Sequence, residues 1–149
     1  MPEPLTGEIT TVLGALGQGI YDEGGLSLFG LAGATYEDDE FPGELYRTFT
    51  PHGIAVQYEG DDSEMLAQAV FVYLEARDGA DPYPTPDGLI GGLPLSGASR
   101  DDVRAHLGEP ERTADGFDAF AVDGRFLHVE YGTNGTVSMV TAMLELPGS

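Results

Sequence analysis

The stretch TGEITTVLG (6 to 14) aligns without gaps to RDDVRAHLG (100 to 108), and each is followed by alternating apolar runs broken by turn residues. This recurrence constrains the fold more than any other feature. A helix with one apolar stripe and strands with one apolar face must bury those surfaces against each other, and here the same order occurs twice. The match sets Glu8 on Asp102, Ile9 on Val103, Leu13 on Leu107 and Gly14 on Gly108. In the second copy, Ser99 reads as the N-cap and Asp102 as its capping-box partner. Asp101 and Asp102 sit at the positive end of the helix dipole, and Gly108 with Pro110 ends the helix.

Downstream, FDAFAV and RFLHVEY are joined by Asp123-Gly124, and TVSMVTAML follows GTNG. Such turns between alternating runs predict a three-stranded antiparallel meander over 117 to 145. In its middle strand Leu127, Val129 and Tyr131 point towards the helix, while Phe126, His128 and Glu130 point away. The first half repeats the pattern with ELYRTF, a turn at Pro51-His52-Gly53, IAVQYEG and AQAVFVYL, and Val56-Gln57-Tyr58 matches Val129-Glu130-Tyr131. The expected class is α+β: a tandem repeat of helix plus antiparallel β-meander, in two layers, with the sheets joined into one curved antiparallel sheet. The first repeat spans 1–77 and carries an insertion at 15–43. A linker with Pro82, Pro84 and Pro86 on alternate positions spans 78–88, and the second repeat spans 89–149. The insertion is glycine-rich and ends in Glu37-Asp38-Asp39-Glu40, which reads as an acidic loop.

Charge narrows the function. Acidic residues number 26 against 6 basic ones, a formal net charge of −20. The six are Arg47, Arg77, Arg100, Arg104, Arg112 and Arg125; lysine is absent, which removes Schiff bases and phosphate-loop lysines. Nucleic acid would be repelled. The acidity suits solubility or salt adaptation, and equally the steering of a basic partner. There is no cysteine, hence no disulfide, thiolate metal site or thiol nucleophile. With no apolar run near the roughly 20 residues of a spanning helix and no evident export signal, the expectation is a cytoplasmic protein without a membrane association.

Catalytic signatures are missing. GALGQG (14 to 19) does not fit a dinucleotide fingerprint, and Ser96 and Ser99 around Gly97 read as a turn and a cap. His52, His106 and His128 lack metal-ligand spacing, and neither Asp61-Asp62-Ser63-Glu64 nor the run 37 to 40 follows a calcium loop. We therefore expect no enzyme activity, no cofactor and no metal. The remaining candidate is the outward sheet face, with Phe71, Tyr73, Phe126, His128 and Glu130, together with Glu37, Asp38, Asp39 and Glu40, as a partner-binding surface. The other reading of those aromatics is a second core layer between the halves.

GLPLSGASRDDVRAHLGEP, of the form G-x-S-R-x-x-V-x-x-x-L-G-x-P before a meander, resembles the repeat unit of the β-lactamase inhibitory protein fold, shared by the small lipoprotein of the bacterial outer-membrane barrel-assembly complex (the SmpA-OmlA type). The resemblance covers 89 to 145 well and the first half loosely. It implies two helix-plus-sheet repeats gripping another protein with a concave sheet face. The inhibitors' cysteines and the lipoproteins' lipid-bearing cysteine are not here, so the resemblance carries over the scaffold and neither specific activity. Cytoplasmic proteins of similar design look like immunity proteins, and an acidic one suits a basic toxin. The alternative is a small-ligand-binding or enzymatic domain using His128 and Glu130 in a cleft between the repeats. The oligomeric state stays open.

Overall fold

The computed structural model describes residues 5–61, 64–77, 79–122 and 124–146. Its elements run α1 (Ile9–Ala15), α2 (Glu23–Ala32), β1 (Glu37–Phe41), β2 (Glu44–Phe49), a 3-10 turn (Thr50–His52), β3 (Ile54–Asp61) and β4 (Glu64–Tyr73). They continue with α3 (Pro86–Leu89), α4 (Arg100–Leu107), β5 (Arg112–Ala114), β6 (Phe117–Val122), β7 (Arg125–Tyr131) and β8 (Val137–Met143). All eight strands join one antiparallel sheet in the order β1-β2-β3-β4-β8-β7-β6-β5, which is not closed. The class is α+β, as expected.

Local sequence explains α4. Ser99 accepts from the Asp102 backbone N–H, the Asp102 carboxylate accepts from that of Ser99, and Gly108 ends the helix at φ 91°. The expected twin at the first helix differs. α1 starts at Ile9 and its cap residue, Glu8, makes no capping bond; its carboxylate instead accepts from Thr85 Oγ1 at 2.7 Å. The physical reason is that the position matching Ser99 is Leu5, which has no acceptor to offer a helix N-terminus.

The stretch 15–43 supplies α2 and β1, and the acidic run read as a loop is strand β1. It pairs with β2 through Glu37↔Thr48, Asp38↔Arg47, Asp39↔Tyr46 and Glu40↔Leu45. Asp and Glu are poor strand formers, but Arg47 donates to both Asp38 oxygens from Nε and Nη2 at 2.8 and 2.9 Å, and that cross-strand pair holds the edge. β5 likewise precedes the strands the sequence predicted. Asp123 of the Asp-Gly turn and Asp62-Ser63 lie outside the described residues.

The helices cover one sheet face. Ile9, Val12, Leu28, Leu89 and Val103 from the helices share a single apolar cluster with Val56, Val70, Val72, Phe120, Leu127, Val129 and Val140. The two meanders meet edge to edge through β4 and β8, with Val72 opposite Val140 and Val70 opposite Ala142. The proline-bearing segment is packed against the first half: the Asp81 N–H donates to Thr50 and that of Tyr83 to Tyr73, both at 2.7 Å, and the Tyr83 ring is buried. Gly53, at φ 63°, lies beneath it, where a Cβ would stand 2.5 Å from the Asp81 carbonyl.

One charged cluster fixes α4 on the sheet. Asp118 of β6, fully buried, accepts from Arg100 Nη2 and Arg104 Nη2 at 2.8 Å each, from Thr113 Oγ1 at 2.6 Å and from Tyr131 OH at 3.0 Å. Arg100 also donates to the carbonyls of Ala114, Asp115 and Phe117. Burial alone would raise the Asp118 pKa. The donors from Arg104, Arg100, Thr113 and Tyr131 together outweigh it and hold the carboxyl well below the usual carboxylate range.

Candidate functional site

The residues alternating with the core face of each strand form a second face, and the described helices pack on the opposite one. Cross-strand register orders it in rows. One runs from Glu37 through Thr48, Ala55, Phe71, Thr141, His128 and Ala119 to Arg112. A second joins Tyr73, Met139, Glu130 and Phe117, and a third joins Asp39, Tyr46, Gln57, Ala69, Met143 and Phe126. Phe71 and Tyr73 on β4 and Phe126, His128 and Glu130 on β7 thus share one face on either side of β8, each half-buried. These aromatics lie outside the apolar cluster that the helices share with the sheet, and the two halves join at strand edges rather than face to face.

Side-chain contacts give this face its character. The His128 ring stacks on Phe117 with centroids 4.4 Å apart. Burial lowers the His128 pKa, and the nearby Glu130 carboxylate partly opposes the shift. Arg77 reaches over the second row: its guanidinium lies 5.9 Å from the Tyr73 ring and 4.0 Å from Glu130, and it donates to the Met139 sulfur. Thr141, at the centre of the first row and 1% exposed, keeps a buried hydroxyl without a hydrogen-bond partner. Sequence reasoning passed over Met139, Thr141 and Met143, because TVSMVTAML carries apolar residues on both of its faces and so marks neither.

The acidic quartet divides. Glu37 and Asp39 fall on the open face, while Asp38 and Glu40 fall on the helix side with Arg47 and Leu45. Asp38 is already committed. Arg47, 8% exposed, also stacks 4.0 Å over the Tyr36 ring, and the hydrogen bond from Arg47 to Asp38 holds the guanidinium pKa above its ordinary value.

Among the described residues no group of three His, Cys, Asp or Glu is arranged to hold a metal ion. A groove at the tips of the first meander and a shallower one beside α4 are lined by neither His128 nor Glu130. No described helix is long and apolar enough to cross a membrane.

No family model and no curated protein matches the chain. Among solved structures it is similar to a cysteine-rich secretory protein of Staphylococcus aureus, with a TM-score of 0.52 at 13% identity, over 97% of this chain and 46% of that one. At that identity the likeness shows the fold alone. The chain spans less than half of that protein's length and holds no cysteine of its own.

Proposed function

We propose that this chain is a non-enzymatic, cytoplasmic binding protein that masks another protein through the open sheet face and β1, with a basic toxin, neutralised by an immunity-type protein, as the partner class. One observation carries the reading: Phe71, Tyr73, Phe126, His128 and Glu130 gather around Met139, Thr141 and Met143 on the sheet face opposite the described helices. Aromatic and methionine side chains on a pre-formed surface are what protein interfaces use as anchors. Charge supports the choice of partner. Arg47, Arg100 and Arg104 are consumed in internal pairs with Asp38 and Asp118, so the outer potential is set by a large carboxylate excess.

The tandem-repeat reading belongs to the same proposal. Each meander contributes its last strand, β4 or β8, to the junction, and places a short strand, β1 or β5, at the sheet's end. A register shift falls after Gln57 in β3 and after Glu130 in β7, the positions that the sequence match pairs. These features support the resemblance to the β-lactamase inhibitory protein fold and the use of the sheet as a grip. A ligand cleft between the repeats finds less support, since β4 and β8 pair directly where it would open.

The test is capture of a partner from the native cell by the full chain and by the Phe71→Ala/Phe126→Ala variant, followed by affinity measurement in rising salt. The double variant should weaken binding about a hundredfold or more, as for two anchor residues. A captured partner that is acidic, or one whose affinity ignores both the substitutions and salt, overturns the proposal.

A further inference from the structure

β1 is the last strand at one end of the sheet, and among the described residues β2 is its one partner. All five of its residues are exposed. A free strand edge templates pairing with another extended chain, and proteins usually guard such edges. Here the guard is Glu37, Asp39 and Glu40, since Asp38 is paired with Arg47. It repels the same edge of a second copy and attracts a cationic strand.

Where β1 ends, a groove of about 640 Å³ opens between the loop at Gly19–Asp22, the β1–β2 turn and the facing ends of β3 and β4. Ile20, Leu45 and Met65 supply apolar lining, and none of the described lining residues is cationic. Phe41 and Tyr21 stand at it 55% and 82% exposed, though large aromatics are normally covered. Asp22, Glu40, Glu44, Asp61 and Glu64 add carboxylates. This combination fits one side-chain type: a long aliphatic stem laid on apolar surface, with a planar cation at its end that stacks on rings and is bonded by carboxylates. The chain shows that chemistry within itself at Arg47, which stacks on Tyr36 and pairs with Asp38 through two bonds.

We propose that the edge of β1 and the adjoining groove receive an extended, arginine-bearing segment of the partner protein, which adds as a ninth strand and lodges one arginine in the groove. Main-chain bonds to β1 supply affinity and the groove supplies specificity. This rests on the protein-binding reading and names a second contact within it, away from the sheet face.

The experiment titrates the full chain, labelled for amide NMR, with ten-residue peptides of alternating threonine and arginine, and with lysine and citrulline versions. The arginine peptide should bind about tenfold tighter than citrulline, from loss of charge and ring stacking. It should shift amides of Glu37 to Leu45 and Gly19 to Asp22, and slow hydrogen exchange in β1. Phe41→Ala and Glu40→Gln/Glu44→Gln should each weaken it about tenfold, while Phe71→Ala/Phe126→Ala leaves it unchanged. Equal binding of citrulline, equal or tighter binding of lysine, shifts spread over the acidic surface or confined to the sheet face, or self-association through β1 overturns the proposal. If the peptide fails and partner capture still depends on Phe71 and Phe126, this inference alone falls; if the peptide binds and capture ignores those residues, the sheet-face reading falls instead.

Discussion

At the residue scale, stability concentrates in Asp118. Its carboxylate is buried, and the four donors around it come from three elements of the second half: Arg100 and Arg104 from α4, Thr113 from β5 and Tyr131 from β7. Removing its charge leaves Arg100 and Arg104, both partly solvated, without their shared counter-charge and the buried Asn short of acceptors, so Asp118→Asn should cost about 2 kcal/mol, against about 1 kcal/mol for Tyr131→Phe, which removes one hydrogen bond. Urea denaturation at pH 7 measures both. The pH dependence has a definite sign. A carboxyl whose folded-state pKa is depressed contributes fully above its unfolded value of about 3.9 and loses that contribution as pH falls towards the folded value. The gap between wild type and Asp118→Asn should therefore narrow below about pH 4; a gap constant down to pH 3 would contradict the assignment. Sequence alone revealed Ser99 and Asp102, because a cap is made within three residues. It did not reveal Asp118, whose partners lie across the fold.

At the element scale, β1 and β8 show what patterning discloses. TVSMVTAML alternates weakly because β8 is central, so that flanking side chains from β4 and β7 bury its residues on both faces, and EDDEF hid a strand because neither of its faces is apolar. Strand alternation also separates the acids by role. Asp38→Asn breaks the two-bond pair with Arg47 and should lower stability by about 1 kcal/mol, given that Asp38 keeps some exposure. Glu37→Gln/Asp39→Asn should leave stability within about 0.5 kcal/mol, since both are exposed. The same double variant should slow association with a basic partner, because it removes charge beside the face the partner approaches. Thermal melts and stopped-flow association rates distinguish the two pairs. At α4, Ser99→Ala should cost about 1 kcal/mol through the lost cap, and no comparable loss should follow Glu8→Gln, since Glu8 caps nothing.

At the scale of the whole molecule, the pairing of β4 with β8 makes two sheets into one and gives both halves a common core, so one charge field surrounds one continuous face. That a sheet face would remain open was not decidable from alternation, which says that two faces differ and not which of them is covered. The formal charge of −20 acts on folding and on binding with opposite signs. Carboxylates repel one another in the compact state, so screening by salt should raise the melting temperature. The same screening weakens attraction to a cationic partner, and the association rate should fall about tenfold or more as salt rises from roughly 50 to 500 mM. Adaptation to salt without a steering role predicts the first change alone. If the melting temperature climbs while the association rate holds steady, the acidity serves the chain's own solubility, and the basic partner loses its main physical argument.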